Sequence, residues 1–249
     1  MSETQLSTTA VIEPLDRDSP KPLYLQIYEE LLDLIDSGNL KTGDQFPREL
    51  ELVERYGVAR ITVRRAISDL VLEGRLIRRA GKGTFVAAPK IDRYIIDVSS
   101  FTTRMGVLGN QARARVLEMR TIPASQRLSR ELEVPPESPI LELTRLRYSN
   151  SELVALETSF LSLVRCPNLD QIDFNKRSLY EVVKSEYGLE PRHATRSLEI
   201  TRANGWEAQH LNISKSTPLF LLRAKVESDD TPIEYIKTLL RGDRFRFRF

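Results

Sequence analysis

The sequence contains few of the residues on which many enzymes and metalloproteins depend. Its 249 residues include one cysteine and two histidines. A single cysteine, Cys166, excludes an intramolecular disulfide framework and is typical of a reducing compartment. The histidines, His193 and His210, lack metal-ligand spacing with each other or with Cys166, and no nucleophile elbow or phosphate-binding loop is present. We therefore predict no metal, no cofactor and no catalytic residue.

Long apolar runs are also lacking. No stretch approaches the roughly eighteen apolar residues of a membrane span, and the first twenty residues, rich in Ser and Thr, contain no apolar run typical of a signal peptide. We expect a cytoplasmic protein without membrane association. Hydrophobic residues make up 41% and charged residues 29% of the chain, which is the balance of a folded globular protein. The length favours two domains.

The net charge of +2 conceals an uneven distribution of charge. Residues 21–59 contain four basic and eight acidic side chains, whereas residues 60–90 contain eight basic and two acidic ones. A swing of this size between adjacent segments indicates a surface for a polyanion. Charge alone is equally consistent with a solvated surface.

Three helices are predicted after a flexible tail at residues 1–19. Apolar residues at helical spacing indicate a first helix of about fifteen residues, from near Leu23 to a stop at Gly38. A short second helix is expected from Pro47 to Tyr56, closed by Gly57. A third is expected from about Ala59 to Glu73, and its exposed side is polar and mostly cationic.

Two strands are predicted next, at 75–79 and 84–88. The connection contains Gly81, Lys82 and Gly83. Glycines on both sides of a lysine supply positive φ and remove side-chain bulk at a hairpin tip. Residues 20–89 therefore form the first domain, and residues 90–94 are expected to be a linker.

The order of these elements is that of a winged helix-turn-helix. In that motif the second helix of the pair lies in the major groove with its N-terminal residues at base edges. Arg60 and Arg64 are four residues apart and share one helix face with Thr62 beside them, and an Arg guanidinium bonds guanine O6 and N7 together. The wing tip with Lys82 suits the minor groove.

At this point the sequence resembles the GntR family of bacterial regulators. The resemblance covers residues 20–88, with matching blocks at 22–27, 46–52, 57–66 and 81–86. It implies that Arg60, Thr62 and Arg64 contact DNA and that Gly81 and Lys82 stand at the wing. The predicted partner is a double-stranded operator.

Three positions depart from the family pattern. The family usually has Ser where Arg48 and Ala59 stand, so two helix caps worth about 1 kcal/mol each are missing. Arg48 is then available to reach a phosphate or a base. Leu50 occupies a position where many members carry a DNA-contacting Arg. For Arg65, which we include among the DNA-binding residues, a phosphate-facing or solvated position is favoured over a base contact.

The remainder of the chain, 95–249, is predicted to be an α+β domain. Strand patterns occur at 112–121, 139–148, 153–161, 192–202, 217–227 and 233–240, and helical patterns at 125–133, 178–187 and 205–211. The connections are short and turn-rich. A meandering antiparallel sheet with helices packed on it is the natural architecture.

A pair of arginines marks the candidate ligand site in this domain. Arg145 and Arg147 are two residues apart on a predicted strand and therefore project from one face, beside Leu141 and Leu143. Two guanidiniums on an apolar face are costly to bury unless an anion meets them. A phosphate or carboxylate ligand does so through bidentate hydrogen bonds. Pairing with Glu157 or Glu142 is the alternative.

Residues from about 95 onward resemble the UTRA effector domain of the HutC subfamily of GntR regulators. The matching segments are 99–102, 143–147, 156–159, 178–180, 232–235 and 241–245. The resemblance implies a fold shared with chorismate lyase and a ligand pocket between sheet and loops. The expected effector-binding residues are Ser100, Phe101, Thr102, Arg145, Arg147, Glu157, Ser178 and Glu234.

Single residues of this set remain open to a structural interpretation. Ser178 caps a helix whether or not a ligand is present, and Glu157 pairs with arginine as well as with a ligand amine or hydroxyl. A lyase-like enzyme and a DNA-binding protein without an effector are the rival functions. We expect a homodimer on an inverted-repeat operator, released by a small anionic effector.

Overall fold

The computed structural model describes residues 14–79, 81–94 and 101–248. The chain divides into two units, Met1–Ile91 and Asp92–Phe249. Each unit has hydrophobic clusters of its own.

The first unit contains three helices and a hairpin. In chain order these are α1 (Leu23–Asp36), α2 (Glu49–Tyr56), α3 (Arg60–Leu72), β1 (Leu76–Arg79) and β2 (Gly83–Val86). Their inward faces form one core, because apolar residues recur at helical spacing in each helix. The helical members of that core are Ile27, Leu31, Leu52, Tyr56, Val63, Ala66, Ile67 and Leu70. The predicted winged helix-turn-helix elements are all present, with bounds shifted by one or two residues.

Glycines set the two turns that place α3 and the hairpin. Gly57 ends α2 in the left-handed conformation with φ +62°, so the chain reverses directly into α3. Gly81 (φ +70°) and Gly83 (φ +112°) also adopt positive φ, at the tip of the hairpin between β1 and β2. Strand β1 pairs antiparallel with β2, from Leu76 opposite Val86 to Arg79 opposite Gly83.

A third extended segment adds to the hairpin, which the sequence did not predict. Gln45 forms a β-bridge with Phe85, and the Phe46 N–H donates to the Thr84 carbonyl at 2.8 Å. The Val86 N–H donates to the Asp44 carbonyl at 2.9 Å. A turn at residues 41–44, closed by the Asp44 N–H donating to the Lys41 carbonyl at 3.0 Å, leads into this segment. The backbone of the segment satisfies the free edge of β2.

Residues 14–19, which the sequence analysis placed in a flexible tail, make hydrogen bonds to the helices. The Asp16 N–H donates to the Gln26 side chain at 3.0 Å, and the Gln26 amide donates back to the Asp16 carbonyl at 2.8 Å. The Arg17 guanidinium donates to the Gly57 carbonyl at 2.9 Å. Leu15 packs against the helical core.

The second unit is built on an antiparallel sheet of six strands. They are β4 (Ala112–Pro123), β5 (Pro139–Ser149), β6 (Glu152–Ser162), β7 (His193–Arg202), β8 (Pro218–Ser228) and β9 (Thr231–Arg241), in the order β4-β5-β6-β9-β8-β7. Two-residue turns with positive φ at Asn150–Ser151 and Asp229–Asp230 close the β5–β6 and β8–β9 hairpins. All six strands and the predicted α+β class are confirmed.

Four α-helices accompany the sheet among the described residues. They are α4 (Phe101–Val107), α5 (Gln126–Leu132), α6 (Leu179–Tyr187) and α7 (Gly205–Leu211). Apolar residues of α6 pack with Leu141 and Leu143 of β5, whereas α7 packs with Leu146 and Leu156. The sheet therefore has apolar clusters on both faces.

The division between the units falls inside the predicted linker, and a strand also forms there. Residues 90–94 were predicted to be a linker, but β3 (Ile91–Tyr94) pairs with β10 (Phe245–Arg248) in a two-stranded sheet. This strand was not predicted, because a four-residue segment finds a backbone partner about 150 residues later, which no local pattern reports. Helix α4 was also missed. No helix in the described part of the chain has the length and apolar character needed to cross a bilayer.

Candidate nucleic-acid interface and ligand site

The two arginines predicted to read bases lie together at the start of α3. The side chains of Arg60 and Arg64 are 57% and 52% exposed, and both are directed to one carboxylate. Glu49 Oε2 accepts from Arg60 Nε at 3.0 Å and from Arg64 Nη2 at 3.4 Å. Burial alone would raise the pKa of Glu49, but these two hydrogen bonds bring it below its ordinary value. The carboxylate therefore stays charged and holds the guanidiniums side by side.

Helix α2 contributes Arg48 to the same region. Arg48 is the N-cap residue of α2, and its side chain makes no cap hydrogen bond. The backbone N–H of Arg48 donates to Glu51 Oε2 at 3.0 Å. The Glu51 side chain therefore supplies a hydrogen bond at the start of the helix, where the family usually has a capping serine. The Arg48 side chain is exposed. Ala59, the N-cap of α3, likewise makes no side-chain cap.

Arg65 and Thr62 are held differently from the two base-reading candidates. The Arg65 guanidinium lies over the Tyr24 ring of α1, with 3.7 Å between its central carbon and the ring centroid. That stacking holds the Arg65 guanidinium against α1. Thr62 is half-buried in the first turn of α3, where its N–H donates to the Ala59 carbonyl.

The wing presents Gly81 and Lys82 at its tip. Both residues are exposed, and the Lys82 N–H donates to the Arg79 carbonyl at 3.0 Å to close the turn. The Arg79 guanidinium lies over the Phe85 ring. The first unit thus has two exposed cationic parts, the start of α3 and the wing.

In the second unit, Arg145 and Arg147 of β5 converge on Glu157 of β6. Glu157 Oε1 accepts from Arg145 Nη2 at 2.7 Å and from Arg147 Nε at 3.0 Å. Arg145 Nη2 also donates to Ser159 Oγ at 3.1 Å. The arginine side chains are only 2% and 10% exposed. Both arginines therefore pair with Glu157, which was the alternative to an anionic ligand in the sequence analysis.

Glu234 of β9 extends this buried cluster toward α6. Its Oε2 atom accepts from the Tyr180 hydroxyl at 2.6 Å, and Ser159 is a second hydrogen-bonding neighbour of the carboxylate. Arg145 Nε is buried and has no acceptor among the described residues. Burial and the neighbouring charge of Glu157 raise the pKa of Glu234. Burial, followed by repulsion from Arg147, lowers the pKa of Arg145 to about 10, so it remains protonated at neutral pH.

The other predicted effector residues lie on α4 and α6 or outside the described residues. The Phe101 ring lies 5.4 Å from the central carbon of the Arg147 guanidinium, whereas Thr102, the next residue of α4, is exposed. Ser178 is the N-cap of α6, as predicted, but its side chain makes no cap hydrogen bond. Ser100 lies outside the described residues.

Three residues that hydrogen-bond to the predicted site residues were not predicted from the sequence. Glu49 joins the two arginines of α3, while Ser159 and Tyr180 complete the buried cluster. Ser159 was accessible to prediction, because it lies two residues after Glu157 on the same face of a strand. Glu49 and Tyr180 gave no local signal.

Two family models match the chain in the regions just described. Residues 23–86 match the model for bacterial regulatory proteins of the gntR family. Residues 108–246 match the model for the UTRA domain.

Full-length relatives agree with these matches. An uncharacterized HTH-type transcriptional regulator, YurK of Bacillus subtilis, is 35% identical over 94% of this chain and 97% of its own length. The transcriptional repressor NagR of the same organism is 33% identical over 94% and 96%. The crystal structure of PhnF from Mycobacterium smegmatis superposes with a TM-score of 0.63 at 32% identity, covering 89% of this chain and 97% of that one. The chain therefore belongs to the HutC subfamily of the GntR family and is a DNA-binding transcriptional regulator, not an enzyme.

Proposed function

We propose that the chain is a repressor that binds an inverted-repeat operator as a homodimer and releases it when a small anionic metabolite occupies the second unit. The main support for operator binding is the exposed pair Arg60 and Arg64, which Glu49 aligns at the start of α3. The expected contacts are bidentate bonds from this pair to guanine. Several relatives are named repressors, which supports the direction of control.

The remaining predicted DNA contacts have distinct roles in this proposal. Arg65, held over Tyr24, and Arg48, at the head of α2, contact phosphates and fix the register. Lys82 at the wing tip enters the minor groove beside Gly81. Thr62 contributes its hydroxyl and methyl groups next to the arginine pair.

The charge of the buried cluster supports an anionic effector. Two guanidiniums, those of Arg145 and Arg147, share the single Glu157 carboxylate. A carboxylate or phosphate ligand would give them a second anionic partner. An anionic ligand would also give Arg145 Nε an acceptor.

Two predicted residues complete the effector site from the helices. Phe101 provides an apolar surface beside Arg147, and Thr102 lies on the same helix. The Ser178 hydroxyl is not used as a helix cap and is therefore free to donate to the ligand. Ser100 is proposed as a further donor.

A thermal-shift screen with sugar phosphates, amino-acid catabolites and small carboxylates tests whether the protein binds an anionic effector. Compounds that raise the melting temperature should also release an operator obtained by selection from randomised duplexes. Arg145→Ala should bind that operator and no longer respond, and Arg147→Lys should respond at higher concentration. If the effector still releases the operator normally from Arg145→Ala, the role of Arg145 is structural only.

Thermodynamic linkage gives an independent test. If the effector weakens operator binding, the operator must weaken effector binding by the same factor. Equal effector affinity with and without operator would refute the coupling. A protein whose operator affinity is indifferent to every compound would be a DNA-binding protein without an effector, the rival named above.

A further inference from the structure

Leu50 is an apolar side chain in an unexpected place on α2. The other apolar residues of that helix, Leu52, Val53 and Tyr56, pack in or against the core. Leu50 belongs to no core cluster described above, and it is 59% exposed. A single exposed leucine needs no explanation in general. Its surroundings distinguish this one.

Leu50 borders a depression of about 310 Å³ at the start of α2 and α3. Phe46, Pro47 and Ile67 supply apolar lining, and the wing contributes Gly83 and Thr84. The remaining lining residues are Arg48, Glu49, Arg60 and Arg64. An apolar side chain thus stands among the guanidiniums that are proposed to read bases.

The chemistry of the depression selects its occupant. A ligand that fits must accept hydrogen bonds from guanidiniums and also present an apolar group to Leu50. In the major groove, thymine offers both, through O4 and the C5-methyl group, whereas cytosine presents an amino donor and no methyl group. The depression is continuous with the arginine pair, so an operator base reaches it in the same docked position.

We infer that Leu50 is a specificity-determining residue that contacts a thymine C5-methyl group next to the bases bound by Arg60 and Arg64. This inference rests on the proposed base contacts of that pair. It assigns a sequence preference to α2, in addition to the preference set by α3. The operator should therefore contain a required thymine beside the guanines.

Removing the methyl group alone tests this contact. The full-length protein is first used to select binding sites from a randomised duplex library. Each thymine of the selected site is then replaced in turn by deoxyuridine, which lacks only the C5-methyl group. At one thymine of each half-site the wild type should bind about fourfold more weakly, the value for one buried apolar carbon.

The same duplexes are titrated with Leu50→Ala and with Leu72→Ala. Leu72 is equally exposed, at 62%, but lies at the opposite end of α3. Leu50→Ala should bind the thymine and deoxyuridine duplexes within twofold of each other, and Leu72→Ala should keep the wild-type ratio.

The outcomes separate the inference from the function on which it rests. A wild-type preference for thymine that persists in Leu50→Ala, or that is absent at every position, overturns the role of Leu50 and leaves the regulator intact. A wild-type protein that enriches no sequence overturns the base readout by Arg60 and Arg64, and the present inference with it.

Discussion

Each unit of the molecule contains two arginines that share one glutamate. In the first unit Arg60 and Arg64 meet Glu49 at the surface, and in the second Arg145 and Arg147 meet Glu157 beneath the surface. The chemical groups are the same and the exposure is opposite. Exposed guanidiniums exchange one partner for another at little cost, whereas buried ones depend on the partner they have. Under the proposed function, the exposed pair meets a large polyanion and the buried pair a small one.

The largest expected effect is the loss of the buried glutamate. Glu157→Leu leaves two buried guanidiniums without their shared acceptor and should lower the free energy of unfolding by about 3–5 kcal/mol. Urea denaturation measures the change. Glu142→Leu, on the same sheet, removes a carboxylate whose partner Arg120 is exposed and should cost under about 1 kcal/mol. Equal losses in the two variants would contradict the contrast in burial.

Arg60→Ala and Arg64→Ala should leave stability nearly unchanged and weaken binding to the selected operator by about 1–3 kcal/mol. The reason is that each removes a base contact and no core packing. Lys82→Ala is the control, because a wing lysine should weaken selected and scrambled duplexes alike. If either arginine variant keeps the wild-type preference between those duplexes, its role in base recognition is wrong.

The buried cluster should also respond to pH. The folded-state pKa of Glu234 lies above its ordinary value of 4.5, so the native state binds the proton more tightly than the unfolded state. Its contribution to stability is full below pH 4.5 and is lost as pH rises through the raised pKa. Glu234→Gln should remove this loss, and stability curves of both proteins from pH 4 to 8 measure it. Parallel curves would show that the carboxyl titrates normally.

A small stability change is also expected for Glu49, which is half-buried beside two exposed arginines. Glu49→Gln should alter the free energy of unfolding by less than about 1 kcal/mol, because its partners remain solvated. It also removes a negative charge from the DNA-facing surface, so binding to scrambled duplex should rise while discrimination falls. A loss of stability comparable to that of Glu157→Leu would contradict the expected difference between the exposed and the buried arginine pairs.

Local patterns predicted most of the elements. Helical spacing with Gly38 and Gly57 as stops located the helices of the first unit, and alternation located the six long strands of the second. Alternation also placed Arg145 and Arg147 on one face, where they meet Glu157. In each case the signal lies within about a dozen neighbouring residues.

Contacts between distant segments were not predictable in the same way. Glu49 lies eleven and fifteen residues from its arginines and reaches them only through the angle between α2 and α3. Tyr180 and Glu234 are 54 residues apart. The short strands β3 and β10 exist because each supplies the other with a backbone partner. Such features follow from tertiary packing, which a local pattern does not encode.

The hydrogen bond from Arg17 to the Gly57 carbonyl has a practical consequence for work with the isolated DNA-binding unit. The matched family region begins at residue 23, so a fragment cut there would lose the donor that satisfies this carbonyl at the end of α2. Cloning from residue 14 keeps the turn intact, and an affinity tag fused directly before Leu23 would displace the segment that braces it.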